Sequence, residues 1–189
     1  AMARGTQAHA CLLEPEKFAE QYYRIPEATD YEPKALETVA EIKAFLAVVG
    51  VKAPSAANKP ELSQLAYEHG ATVLDVELIQ SEINNLEKTG IGAKEYERIT
   101  AMSRTIFAQL EYKNALDCAS VEVSIVDVEH MGIKIKARLD IVTADGELWD
   151  YKTTTDASPA AFGNAAHKYS YWLKMAFYHD MFAAAYGKP

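Results

Sequence analysis

At 189 residues the chain can bury one good core, so a single domain over residues 3–189 is the expected organisation. Its formal net charge of −8 argues against a protein that coats nucleic acid by bulk positive charge, though not against a local basic channel beside a metal-neutralised acidic site. No run approaches the roughly 18 apolar residues of a membrane span. Cys11 and Cys118 lie far apart in apolar contexts, which predicts reduced, buried thiols and a cytoplasmic compartment.

The expected elements run as follows. Ala1-Met2 reads as the scar of an expression tag, and no charged-then-apolar leader opens the chain. Residues 5–23 predict an amphipathic helix broken near Pro15, with Ala8, Cys11, Leu12 and Phe18 as a buried stripe. His9 lies on that helix, where a lone histidine is ordinarily a surface or core residue. Residues 24–34, with Pro26 and Pro33, predict a loop. Helices are expected over 36–49, ending at Gly50, and over 59–69, after a loop with Pro54, Ser55 and Asn58. Further helices are expected over 73–88, closed by Thr89-Gly90, and over 96–112, after a break at Ile91-Gly92. Together these form a helical insertion of about 35–115 that carries no catalytic constellation and serves to wall a site. Residues 120–127 alternate Val121, Val123 and Ile125 against Glu122, Ser124 and Val126, which predicts a strand.

Residues 132–153 hold the chemistry. In 132–142, Ile133, Ile135, Ala137, Leu139 and Ile141 alternate with Lys134, Lys136, Arg138 and Asp140, the two-residue period of a half-buried strand. Thr143-Ala144-Asp145-Gly146 supplies a turn. A second strand over 147–153 then puts Asp150 and Lys152 on one face, about 6.6 Å apart, with Asp140 on the neighbouring strand. Two carboxylates and a lysine on one sheet face suit metal-assisted phosphodiester hydrolysis: carboxylates hold Mg²⁺, and lysine orients or deprotonates water and stabilises developing negative charge. The alternative is a surface hairpin with a cross-strand ion pair. After a loop over 156–163, a long helix over 165–186 presents Trp172, Met175, Ala176, His179, Phe182 and Tyr186 as a core face. A second stripe carries Tyr171, Lys174 and Tyr178, and His167 and Lys168 lie near the helix start.

The run RLDIV…ELWDYKTT resembles motifs II and III of the PD-(D/E)xK nuclease superfamily, with Asp140 as first carboxylate and Asp150-Tyr151-Lys152 as the (D/E)xK. GTQAHACLLEPEKF at 5–18 and YSYWLKMAFYHD at 169–180 are similar to the same-order blocks of RecE-like (exonuclease VIII) nucleases. The resemblance implies a restriction-endonuclease-like α/β core: a small mixed sheet flanked by helices, with a helical insertion. It implies catalytic Asp140, Asp150 and Lys152, with His9, Asp140, Asp150 and the Tyr151 carbonyl as ligands of Mg²⁺, Mn²⁺ being the alternative. Glu14 is read as structural, and Glu122 as an outer-shell acid or a solvent-facing glutamate.

A QxxxY motif in such nucleases contacts DNA. Here Lys174 stands at the glutamine and Tyr178 keeps the tyrosine, which with Tyr171 and His167 gives the DNA-binding set. Lysine grips phosphate but cannot copy an amide's paired donor and acceptor. The implied activity is 5′-to-3′ degradation of one strand of linear double-stranded DNA, in phage-type recombination beside a single-strand annealing protein. The implied assembly is a homo-oligomeric ring in the cytoplasm of a bacterial host, phage or prophage encoded. The segment 38–66 is loosely similar to a SAP helix-loop-helix, without its usual glycine before the lysine. The ending at Gly187-Lys188-Pro189 implies a truncated or shortened relative, with a sheet edge for another subunit to cover. Alternatives are an endonuclease or single-strand nuclease of the same superfamily, and a non-catalytic DNA-binding relative. A sugar- or lipid-handling hydrolase has no nucleophile elbow or paired-glutamate signature behind it.

Overall fold

The structure is a computed structural model that describes residues 2–130 and 132–187; Ala1, Lys188 and Pro189, singled out above, lie outside the described residues. The chain forms two compact units, residues 1–19 with 98–189 and residues 20–97.

Helices α1 (Met2–Leu13) and α2 (Pro15–Gln21) meet at Glu14. The break falls where expected because proline suits the first position of a helix and cannot continue the previous one. Ala8, Cys11, Leu12 and Phe18 are buried, as the stripe predicts.

Strand β1 (Tyr22–Ile25) occupies the start of the expected loop. It pairs in parallel with β2 (Thr89–Gly92), which occupies the expected glycine break. Four residues are too few for an alternation to register. Gly90 is required here, since a Cβ would stand 3.0 Å from the Ile25 side chain and 3.0 Å from Gln80 Oε1.

Between these strands lie α3 (Val39–Val48), α4 (Lys59–Glu68) and α5 (Val76–Asn85). Each starts at a side-chain cap: Thr38 and Asn58 form capping boxes with Glu41 and Glu61, and Asp75 accepts from Glu77 and Leu78. The Thr38 cap is why α3 begins after Leu36, which instead bridges Val73. Ile42, Leu46, Leu62 and Ala66 form one buried cluster of this unit, and Ala28, Ala35 and Leu74 a second.

Two helices, α6 (Ala93–Phe107) and α7 (Leu110–Asp117), replace the single one expected over 96–112, with Gln109 as the cap between them. The sheet follows: β3 (Ser120–His130), β4 (Ile133–Val142) and β5 (Leu148–Trp149), antiparallel in that order. The turn before β5 is as expected, with Gly146 at φ 90°. β5 is far shorter than expected, and residues 150–153 leave the ladder.

Helix α8 (Pro159–Lys168), capped by Ser158, fills part of the expected 156–163 loop, and Ser170 at φ 51° separates it from α9 (Tyr171–Tyr186). The core face expected on α9 is corrected. Met181 and Phe182 are buried on Ile125, Ala137 and Leu139, but Trp172 is 64% exposed and His179 is exposed too. The less exposed stripe runs through half-buried Tyr171, Lys174 and Tyr178 to buried Met181, because a helix apolar on most sides leaves its period without a preferred face. Cys11 is buried and Cys118 is exposed, so the expectation of two buried thiols holds for the first alone. Among the described residues no helix is long and apolar enough to cross a membrane.

Candidate active site

Strand register builds the site. Val121 pairs with Ile141 and Val123 with Leu139, which puts Glu122 of β3 opposite Asp140 of β4. On the other flank Ile141 pairs with Trp149, so the next position sets Asp150 opposite Asp140. Three acids from three successive segments thus lie in a row across the sheet, and side chains from α1 and α9 meet them.

Each acid has a different partner. Glu122, at φ 52° within its strand, accepts from Nε of Arg138. The left-handed backbone is costly for a glutamate inside a strand, and the row of charges is where that strain is stored. His9 Nδ1 of α1 stands 3.9 Å from Glu122 Oε1 and 3.8 Å from Asp140 Oδ2.

Asp140 is 8% exposed and accepts the Tyr151 N–H at 2.8 Å. That bond explains the early end of β5: the Tyr151 N–H is taken by a side chain instead of the next rung. Asp150 receives the Lys152 ammonium on Oδ2 and Lys174 Nζ on Oδ1 at 2.7 Å. The 6.6 Å separation expected of Asp150 and Lys152 on a regular strand gives way to this direct contact once the chain leaves the ladder.

Electrostatics separates the two aspartates. Burial pushes the Asp140 carboxyl up, with the charge of Asp150 adding to the push; His9, the Tyr151 N–H and Lys152 oppose it without cancelling it. Burial acts on Asp150 too, but hydrogen bonds from Lys152 and Lys174 bring it below the usual aspartate range. For Lys174 burial is outweighed by Asp150 and Tyr178, which hold the ammonium charged. Burial also raises the Tyr151 phenol.

The structure therefore brings His9, Glu122, Asp140, Asp150, Tyr151, Lys152 and Lys174 together. Tyr178 lies beside them, its ring centroid 4.8 Å from Lys174 Nζ, and Tyr171 likewise at 5.7 Å from Lys152 Nζ. His167 sits exposed in the last turn of α8, outside the cluster. Glu14 binds Lys17 at 3.0 Å and reaches Arg138 at 4.0 Å, linking α1 to β4. Sequence reasoning missed one participant: Arg138 looked like an ordinary polar position of an alternating strand, and only the pairing register shows that it neighbours Glu122. Lys174, expected as a DNA contact, also reaches Asp150, which only the tertiary fold shows.

For a hard divalent cation the donors fit in type: three carboxylates, an imidazole and the Tyr151 carbonyl. A pair of mutually repelling, partly buried aspartates is also what such a charge would relieve. As the side chains stand, no group of three His, Cys, Asp or Glu among the described residues is poised around one ion. Asp150 is turned to its two lysines, and the Tyr151 carbonyl accepts from Lys152 Nζ at 3.4 Å.

The model of a family described as "PDDEXK-like domain of unknown function (DUF3799)" matches residues 1–189. No curated protein and no solved structure matches the chain.

Proposed function

The chain belongs to the PDDEXK-like family, with its nuclease chemistry and restriction-endonuclease-like fold, and from that premise we propose that it is a metal-dependent exodeoxyribonuclease on linear double-stranded DNA. The observation that carries the reading is the meeting of Asp140, Asp150 and Lys152 at the point where β5 leaves the sheet, with His9 against Asp140.

In this reading His9, Asp140, Asp150 and the Tyr151 carbonyl hold Mg²⁺ or Mn²⁺. A bound divalent ion would supply a water of lowered pKa and a shield for the phosphate's charge. Lys152 orients the attacking water and donates to the negative charge that develops on the phosphoryl oxygens. The Tyr151 N–H fixes the rotamer of Asp140, so this carboxylate is held before substrate arrives. Arg138 holds Glu122, which approaches the same His9 nitrogen as Asp140 does. Lys174 and Tyr178 of α9 steady the DNA backbone, Lys174 by exchanging Asp150 for phosphate. The 5′-to-3′ direction, the recombination role beside an annealing protein and a ring-shaped homo-oligomer rest on the resemblance of the sequence blocks.

The experiment is degradation of linear, 5′-phosphorylated duplex with Mg²⁺, with Mn²⁺ and with chelator, beside closed circular duplex. Metal-dependent loss of one strand of the linear substrate, reduced by about 10²-fold or more in Lys152→Ala, is the expected result. Cutting of closed circles would make the protein an endonuclease. One observation favours a second reading, a nucleic-acid-binding relative without turnover: both oxygens of Asp150 are already occupied by ammonium groups. A folded chain that is inactive with either metal, and stays inactive in Lys174→Gln, would establish that reading instead.

A further inference from the structure

We propose that Phe162, Tyr169 and Tyr171 form a base-stacking platform that leads an unpaired strand of nucleic acid to Lys152. The proposal rests on the nuclease reading and names the form in which that site takes its substrate.

Phe162 of α8 and Tyr169 just after it are 53% and 61% exposed. Both pack against Tyr171, the first residue of α9: the Tyr169 ring stacks on it at 5.9 Å and 21°, and the Phe162 ring lies at 6.3 Å and 46°. Tyr171 is half-buried, and its ring centroid is 5.7 Å from Lys152 Nζ. Rings therefore run without a gap from solvent to the ammonium that grips Asp150.

The stack has a backbone cause. Ser170, between the two tyrosines, is in the left-handed conformation at φ 51°. That conformation is rare for serine and turns the chain sharply enough that neighbours on either side of it lie face to face. No side chain caps the start of α9, so Ser170 is not explained as a cap.

Charge identifies the occupant. Lys168 Nζ lies 5.3 Å from the Tyr169 centroid, so an ammonium accompanies the outer ring as Lys152 accompanies the inner one. A ring for the base and a cation for the phosphate, repeated along a path, is the chemistry of single-strand binding. A protein partner would favour a charge-depleted patch at the same place. Paired duplex exposes base edges in its grooves, and its ring faces are stacked on one another, so only an unpaired strand can use the platform.

The test is fluorescence anisotropy in chelator with labelled oligothymidylate of about 20 nucleotides, oligouridylate of the same length and a blunt hairpin duplex. The single strands are expected to bind more tightly than the duplex. The double variant Phe162→Ala/Tyr169→Ala is expected to weaken single-strand binding by about tenfold and leave duplex binding unchanged. Tyr169→Phe, which keeps the ring, should restore most of that loss when paired with native Phe162. Leu110→Ala, on α7 and 70% exposed, is the control for a lost exposed apolar side chain. Binding of either sugar supports the platform.

Equal affinity for strand and duplex, or unchanged strand affinity in a folded double variant, overturns it. So does loss of self-association in that variant, by sedimentation, without loss of strand binding. A chain that binds strand in chelator and never cuts with metal sinks the nuclease reading alone. One that cuts blunt and frayed duplex ends at equal rates, with strand affinity unaffected by the variant, sinks the platform alone.

Discussion

Asp140 and Asp150 are the same residue type in adjacent segments, and their surroundings drive their carboxyls in opposite directions. Asp140 has burial and a like charge against it, and what favours its charged form is insufficient. Asp150 has two ammonium groups, and they suffice. The signs follow from which state holds the proton more tightly. With its pKa raised on folding, Asp140 is most favourable at low pH, and its contribution is lost as the pH rises through the raised value. Asp150, with its pKa lowered, contributes above the usual aspartate range and loses that contribution as the pH falls through the lowered value. Asp140→Asn keeps an oxygen to accept the Tyr151 N–H and removes the charge. In chelator the variant should therefore melt above the parent at neutral pH, with the gap closing towards acid, and should not cleave DNA; a lower melting temperature at neutral pH would refute the account. The place of Asp140 was legible because a period of two and an Asp-Gly turn are local signals, whereas the direct contact of Lys152 with Asp150 was not, since it forms where the chain has left the ladder. Glu122 was only half legible, since its place in the row depends on which β3 residue faces Asp140, and pairing register is a tertiary fact.

At the scale of elements, what chemistry punctuates was readable and what contact decides was not. Pro15, Asn58 and Gly146 mark boundaries by backbone and capping chemistry that acts within a few residues, whereas Thr38, the cap of α3, fell inside the helix expected over 36–49. The parallel pair of β1 and β2 joins segments more than sixty residues apart, and nothing in four residues of either announces the other. The face of α9 was misread for a related reason: with apolar residues most of the way round, the sheet and not the sequence pattern selects what is buried. The Thr38 box carries a pH signature. The N–H of Thr38, then that of Glu37 and then the Thr38 hydroxyl hold the Glu41 carboxyl down to about 2 from an ordinary 4.5. This stabilisation is full above 4.5 and is lost as the pH falls from there to about 2. Glu41→Gln should flatten the acid limb of the stability profile in that window, read by far-ultraviolet dichroism in urea. An unchanged slope would mean that the box does not persist in solution.

For the whole molecule, a net charge of −8 and a DNA substrate are compatible because the charges are sorted. Every residue placed in the site comes from the unit made of residues 1–19 and 98–189, and lysines gather there: Lys152 and Lys174 at Asp150, Lys168 at the aromatic rings. On the proposed reading, phosphate would be met at one place by Lys152, Lys168 and Lys174 while the protein as a whole repels polyanions, which favours engagement there over coating.

The two ammonium groups on Asp150 also mean that the protein carries its own counter-ions. A zinc finger folds only when the ion arrives, because nothing else neutralises its ligands. Here the acid row is met from within by the cations Arg138, Lys152 and Lys174, with the His9 ring beside Asp140. On the proposed reading, an arriving ion would displace a tenant instead of filling a void, and the released lysines would then be free to face phosphate, so that loading the metal and arming the cationic grip would be one event. Chelation should accordingly abolish cleavage while leaving the melting temperature nearly unchanged, and a large drop in melting temperature on chelation would show that the internal cations do not carry the load.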